Sequence, residues 1–479
     1  MKVAELGNPV RRGWLDRQGL RLVAKPYLSG AFATQRLLER LSVENVPLKD
    51  LTGGRDGGIV SGPLFRRVYV TDPEHGVPFV GSKDMQLADF TTLPLLSKDD
   101  AESKLAILKL KSGMTLISRS GFNAGRRAYV RPDMADFWSS EDVVTVEPDA
   151  GRIAPGYLYA FLSSRFGEVL VRGGVYGSAV RHISPDHIGE IRVPRFGDAA
   201  EKEIHELVQE AAELRAAFQK GITEATRDLF STAGLEDLLD LRWHEQGRDL
   251  GFVRRGLSTT TLRALNFQPR ARSIGKRLAS VEHVTLGEVC AGGMLGSGVR
   301  FKRIDAESDH GAVRLIGQRQ AFWLRPEGRW ISPEQAPPGI FASDETVMVA
   351  AQGTLGENEV FCRPFLVTGS WCDHAYSQHF LRVVSGDSCF AGAYLFALLR
   401  SEPVFRLLRS MSVGGKQQDI HEELRKSIPV PVLTEVDRDR IAATVRAAYK
   451  QRDEADVKED LALAKLDEAV ALHAGAATS

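Results

Sequence analysis

The chain repeats itself, and that duplication limits its possible folds more than any other feature. APGYLYAFLSSRFG in the first half matches AGAYLFALLRSEPV in the second, with Tyr157 opposite Tyr394, 237 positions apart. IRVP at 191–194 matches IPVP at 428–431 with the same separation of 237. Between them, GVYGSAVRHI matches SMSVGGKQQDI, with Ile183 opposite Ile420. Upstream, Gly81 stands opposite Gly317, Gly121 opposite Gly353, and Leu48 opposite Leu286. The separation drifts by a few residues, as loop insertions produce. Six landmarks in one order describe two copies of one folding unit.

A long helical pattern follows each copy. Residues 198–231 read DAAEKEIHELVQEAAELRAAFQKGITEATRDLFS. Asp198 suits an N-cap, and Glu201 three residues on completes a capping box. Apolar side chains then recur at Ile204, Val208, Ala211, Leu214, Phe218, Ile222, Ala225 and Leu229, the spacing of a stripe that packs on another helix. A similar stretch closes the chain at 434–473. The faces bearing Ile204, Leu207, Leu214 and Phe218, and Ile441, Val445, Leu461 and Leu466, are expected to pack on each other, and part of each stripe equally suits the core of the adjacent domain. The first helix would be on the order of 48 Å long at about 1.5 Å per residue. That is enough to set two readers roughly one turn of B-DNA apart, about 34–36 Å.

Each copy reads as mixed α+β. Short runs such as MTLISRS, DVVTVEP, ETVMVAA and QHFLRVV are bounded by Gly, Pro and Asp. The expected order is a first domain over 1–197 and a long helix over 198–231. A second domain over 232–433 follows, with an arginine-rich connector at its start, and then a long helix over 434–473. Apolar content of 43% and charged content of 26% fit ordinary globular material. No apolar run approaches the roughly 20 residues needed to span a bilayer. The start, MKVAELGNPVRRGW, lacks the apolar segment of a signal peptide. The four cysteines have no C-x-x-C spacing, so reduced thiols and a cytoplasmic location are expected, without a zinc site or disulfide framework.

The polar candidates lie in glycine-containing loops. Ser118 to Arg127 carries Arg119, Ser120, Asn123, Arg126 and Arg127 and no acid. Arginine forks match guanine O6/N7 or phosphate oxygens, and Asn matches adenine N6/N7. A basic surface hairpin is the plainer alternative. The equivalent GTLGENE loop carries Gln352 and Thr354 beside it and within it, together with Glu357 and Glu359. Carboxylates accept from cytosine N4 but repel phosphate, so two such loops would read different bases. A second loop supplies Ser178, Arg181 and His182 in the first copy, and Lys416, Gln417 and Gln418 in the second. The segments around Gly81 and Gly317 add Lys83, Gln318 and Arg319. Net charge is +0, which argues against a nonspecific polyanion coat but not against a local DNA-binding face.

No catalytic signature is present: no G-x-x-x-x-G-K-[ST], G-x-S-x-G or H-E-x-x-H, and no Asn/Asp-Pro-Pro-aromatic motif. Pro185-Asp186 with Glu190-Ile191-Arg192 is a faint echo of a metal nuclease. Arg stands in place of the terminal Lys, and the spacing is short for the usual strand pair. No catalytic residue and no metal ligand are assigned.

Taken together, LISRSGFNAG and VMVAAQGTLG, GYLYAFLSSRFG and GAYLFALLRSEPV, and a glycine loop leading twice through an I-x-V-P strand into a long helix resemble the specificity subunit of type I restriction–modification systems. The resemblance covers nearly the whole chain. It implies two tandem target-recognition domains of similar fold, separated by two long helices that form an antiparallel coiled coil. It implies a non-catalytic, sequence-specific reader of a bipartite site in double-stranded DNA, in such a complex or a related phage-defence methylation system. Partners would be two methyltransferase subunits, docked on the stripe-bearing faces of the two long helices and carrying AdoMet for adenine methylation, with room for a motor-nuclease subunit; this chain would hold no cofactor of its own and meet no membrane. An enzyme with a degenerate site and a protein-interaction adaptor are the rival readings.

Overall fold

The computed structural model describes residues 12–17, 27, 30–176, 181–240, 260–308, 311–356 and 359–475. The chain folds as two units. The first comprises 1–86, 93–216 and 454–479; the second comprises 87–92 and 217–453.

In the first unit, helix α1 (Ala31–Glu39) leads to β1 (Asn45–Pro47), which pairs antiparallel with β10 (Arg192–Pro194). Between them lie two four-stranded sheets. One has the order β2 (Ile59–Ser61), β9 (Val143–Val146), β6 (Thr115–Ser118), β7 (Arg127–Tyr129). The other has the order β3 (Tyr69–Val70), β5 (Leu95–Ser97), β4 (Gly76–Val80), β8 (Trp138–Ser139), with β4 and β8 parallel. All four side chains of β6 and all four of β9 are buried, as expected of β-rich runs without polar alternation.

Helices α2 (Pro155–Ser163) and α3 (Arg165–Gly173) then follow. Seven of the nine residues of α2 are buried, so its rings are core and not a binding platform. The break between α2 and α3 comes at Ser164, whose hydroxyl caps α3 by accepting from the Gly167 N–H at 3.2 Å.

The second unit repeats this wiring. β11 (His283–Thr285) pairs with β19 (Pro429–Pro431). A four-stranded sheet has the order β12 (Met294–Ser297), β18 (Phe380–Val384), β15 (Val347–Ala350), β16 (Pro364–Leu366). β13 (Val313–Ile316) pairs antiparallel with β14 (Arg329–Ile331) and parallel with β17 (Ala375–Tyr376), as β4 does with β5 and β8. α5 (Pro269–Leu278) precedes β11; α6 (Gly392–Leu399) and α7 (Glu402–Ser410) repeat α2 and α3.

Single hydrogen bonds repeat as well. The Tyr157 hydroxyl donates to the Pro194 carbonyl; the Tyr394 hydroxyl donates to the Pro431 carbonyl at 2.8 Å. The Leu48 N–H donates to Ile191 O and the Leu286 N–H to Ile428 O, both at 2.8 Å. The Ser401 hydroxyl caps α7 through the Val404 N–H at 3.4 Å, repeating Ser164.

The long helices are α4 (Asp198–Thr232) and α8 (Glu435–Gly475). Residues 198–216 of α4 and 454–475 of α8 belong to the first unit, and 217–232 and 435–453 to the second. Inside the first unit Lys465 pairs with Glu203 at 2.7 Å and Lys458 with Glu210 at 2.6 Å. Inside the second, Arg440 meets Asp228 at 2.9 Å. As residue numbers rise along α4 their partners fall along α8, so the helices run antiparallel. The close approach at Gly221, where an added Cβ would sit 2.9 Å from the Ala448 Cβ, shows how tightly the two backbones lie in the second unit.

Ile204, Phe218, Ile441, Val445 and Leu466 are buried, and Leu207 and Leu214 are half-buried. Leu461 differs: it is 44% exposed and stands outside the packed stripe. Between the apolar side chains lies a buried polar cluster. The Arg215 guanidinium donates to Glu459 at 2.6 Å and Asp456 at 2.9 Å, and the Tyr159 hydroxyl donates to Glu459 at 2.6 Å. Burial works against the Arg215 charge, but the two carboxylates outweigh it and hold the guanidinium above its ordinary range.

Candidate nucleic-acid interface

In the first unit β6 hands the chain to a narrow loop and β7 takes it back. The loop is closed by Ser118 N–H to Arg126 O at 2.8 Å, Gly125 N–H to Ser118 O at 2.9 Å and Arg126 N–H to Asn123 O at 2.9 Å. Gly121 and Gly125 have φ of 73° and 89°, the left-handed region that side chains disfavour. The loop is then tied to the second glycine loop: Gly121 N–H donates to Arg181 O at 3.1 Å and Ile183 N–H to Arg119 O at 3.0 Å. Tyr176 and His182 pair through their backbones, at 2.9 and 2.8 Å.

The second unit makes the same junction. Gly353 and Gln418 exchange backbone bonds at 3.2 and 2.8 Å. Val413 pairs with Asp419 where Tyr176 pairs with His182, each 237 positions on. In both units two loops that are far apart in sequence become one surface feature.

The side chains on these frames differ. In the first unit Lys83 and Arg181 are exposed, and Asn123, Arg126 and His182 are half-buried. Arg119 is half-buried and donates to the Glu141 carbonyl at 3.3 Å; the Ser120 hydroxyl donates to Asp142 at 2.8 Å. Ser178 lies outside the described residues. The Tyr176 and His182 rings stand 6.0 Å apart. Lys83 sits on the turn after β4, where the Asp84 carboxylate accepts from Gly81 N–H at 3.1 Å.

In the second unit Gln318, Gln352 and Gln417 are brought together. The Gln318 side chain accepts from Gln352 N–H at 3.0 Å and donates to Gln352 O at 2.7 Å, while the Gln417 amide donates to the Gln352 side-chain oxygen at 3.3 Å. Thr354, Lys416 and Arg319 are exposed nearby in sequence. Glu359 is exposed, and Glu357 lies outside the described residues.

Two candidates have a structural placement. The Arg127 side chain is 10% exposed; it donates to Gly125 O at 2.7 Å and meets Glu168 at 3.4 Å. Burial lowers its pKa from the ordinary arginine value. Gln418 is buried, accepts from Arg263 at 2.7 Å and donates to its own loop at Gly415 O. Both side chains bond to their own loops, whereas Arg181, Lys416 and Gln417 are exposed and Arg126 is half-buried. The strand period carries the signal: Arg127 shares a face with buried Tyr129, and Gln418 with buried Ile420.

Glu190 is bound to Lys49 at 2.6 Å, and the His187 ring meets Leu170 O at 3.0 Å. Among the described residues, no group of three or more His, Cys, Asp or Glu side chains could hold a metal ion. Among them too, no helix is long and apolar enough to cross a membrane.

No family model and no curated protein matches the chain. Among solved structures it is similar to the type I restriction–modification S subunit from M. genitalium, at 12% identity, with 90% of this chain and 95% of that one covered and a TM-score of 0.35. It is similar to the HsdS subunit from Thermoanaerobacter tengcongensis at 13% identity, 89% and 96% coverage and a TM-score of 0.26. A chain from a structure of type I restriction–modification complex assembly and conformational transition matches at 15% identity, 89% and 97% coverage and a TM-score of 0.26.

Proposed function

We propose that this chain is a DNA-reading specificity subunit of a type I restriction–modification complex or a related phage-defence methylation system. One observation carries the reading. The same two-loop junction is built twice on the same wiring, yet it presents arginines and rings in the first unit and a glutamine cluster with Lys416 in the second. A common frame bearing unlike polar side chains suits two readers of unlike base sequences, because major-groove edges are distinguished by donor and acceptor pattern.

The chain itself is non-catalytic in this reading. Two methyltransferase subunits bring AdoMet and act on adenines flipped from the duplex, and a motor-nuclease subunit is a further partner. The exposed apolar residues of α8 in the first unit, Val457 at 66%, Leu461 at 44% and Leu472 at 72%, suit docking to such a subunit. Selection from random duplexes by the full chain co-purified with its methyltransferase tests the proposal. It should yield one split, asymmetric motif whose affinity falls steeply with salt. A single uninterrupted motif, or AdoMet bound by the isolated chain, would sink it.

A further inference from the structure

Phe122 at the tip of the β6–β7 loop is 85% exposed. Few places suit a phenyl ring less than open water, and here nothing in the loop folds back to cover it. Its backbone is nevertheless firmly held. Gly121 beside it turns with φ of 73°, donates to Arg181 O at 3.1 Å and accepts from Ala124 N–H at 3.3 Å. Ser120 is fixed to Asp142 at 2.8 Å. The ring is thus an apolar point on a braced stalk. The same loop pair carries three arginines: half-buried Arg119 and Arg126, and exposed Arg181. Cations would hold the phosphates on either side of whatever the ring enters.

From this placement we infer that Phe122 is a wedge that enters one base step of the first half-site and partly unstacks it. The inference rests on the DNA-reading proposal above. Apolar side chains inserted between bases kink duplexes by roughly 20–90°, and pyrimidine–purine steps yield most easily. The first half-site should therefore contain a TA or CA/TG step at a fixed place, chosen by deformability and not by a hydrogen bond. The second unit has Thr354 after its glycine where the first has Phe122, so its half-site should stay stacked apart from any adenine that the methyltransferase flips.

The test uses the full chain in its methyltransferase complex and the duplex that it selects, with 2-aminopurine placed at each purine of the first half-site in turn. Wild type should raise the fluorescence severalfold at the adenine that the methyltransferase flips and at one further step, where the ring enters. Phe122→Ala should abolish the rise at that further step alone and weaken binding roughly 5- to 150-fold, the range of one base–aromatic stack. Phe122→Trp should keep the rise. Because the ring is exposed, neither variant should change the melting temperature. Fluorescence unaltered at every position but the flipped adenine with wild type would overturn the wedge while leaving DNA reading intact, and so would weaker binding of Phe122→Ala with the second rise retained, which would place the ring on a thymine methyl. A chain that selects no duplex would remove both proposals.

Discussion

Arg126 and Arg127 are neighbours in sequence with opposite structural roles. Arg126 is half-buried on the loop, and Arg127 is turned into the unit against Gly125 O and Glu168. Arg126→Ala should lower the melting temperature less than Arg127→Ala and cost about 1–3 kcal/mol at one half-site, if its fork reads a guanine. Arg127→Ala should lose roughly 1–3 kcal/mol of folding stability, because two part-buried bonds of a charged group disappear. Thermal unfolding and half-site competition separate the two. Equal melting temperatures for the variants would overturn the assignment. Composition made the loop legible as basic, but Arg127's fate depends on Glu168, forty-one residues away, and on the pleat that puts it beside Tyr129. Phe122 was visible as a letter; only the fold shows that no core receives it.

The elements most legible in sequence were the long helices, because caps and apolar period are local signals. Asp198–Thr232 and Glu435–Gly475 begin and end within two residues of 198–231 and 434–473. What the period could not disclose is the buried polar cluster set into the stripe. Replacing Arg215 by Met would take the guanidinium away from the buried Glu459 carboxylate. We expect a loss of about 3–5 kcal/mol in denaturant unfolding, much of it recovered when Glu459→Met is added, since a well-packed apolar pair can replace a buried ion pair at little cost. Additive losses in the double variant would contradict this. The segment 87–92 gives a second case. Asp89 accepts from Arg400 at 2.8 Å and from the Gln219 amide at 3.0 Å within the second unit. Burial alone would raise its carboxyl, but the Arg400 charge and the Thr91 bonds hold it well below the ordinary range. A depressed carboxylate contributes stability above its unfolded pKa of about 3.9 and loses it as pH falls further. Stability should therefore drop below about pH 4, and Asp89→Asn should be less stable at pH 7 yet flatter across that acid range. Parallel pH curves for the two proteins would refute the assignment.

At the scale of the molecule, duplication was legible because insertions had shifted the landmarks by only a few residues. The partition of the chain between units was not: they share both long helices, and residues 87–92 belong with the second although they lie inside the first copy's sequence. The tying of each hairpin loop to a loop some sixty residues later was also hidden, since backbone bonds such as Gly121 to Arg181 leave no mark in composition. That duplication makes a final demand on binding energetics. The first-unit and second-unit loops share no residue, so changes in one should leave the other's half-site unaltered. Arg126→Ala should impair one half-site, and Gln417→Ala, which removes one member of the glutamine cluster, should impair the other. Their losses in the double variant should add to within about 0.3–0.5 kcal/mol, the tolerance of independent sites. If Arg126 holds phosphate instead of a base, its removal should weaken all sequences alike and reduce the salt slope by about one. Strong coupling between the two substitutions would mean that the loops form one site, and the reading of two separate half-sites would fall with it.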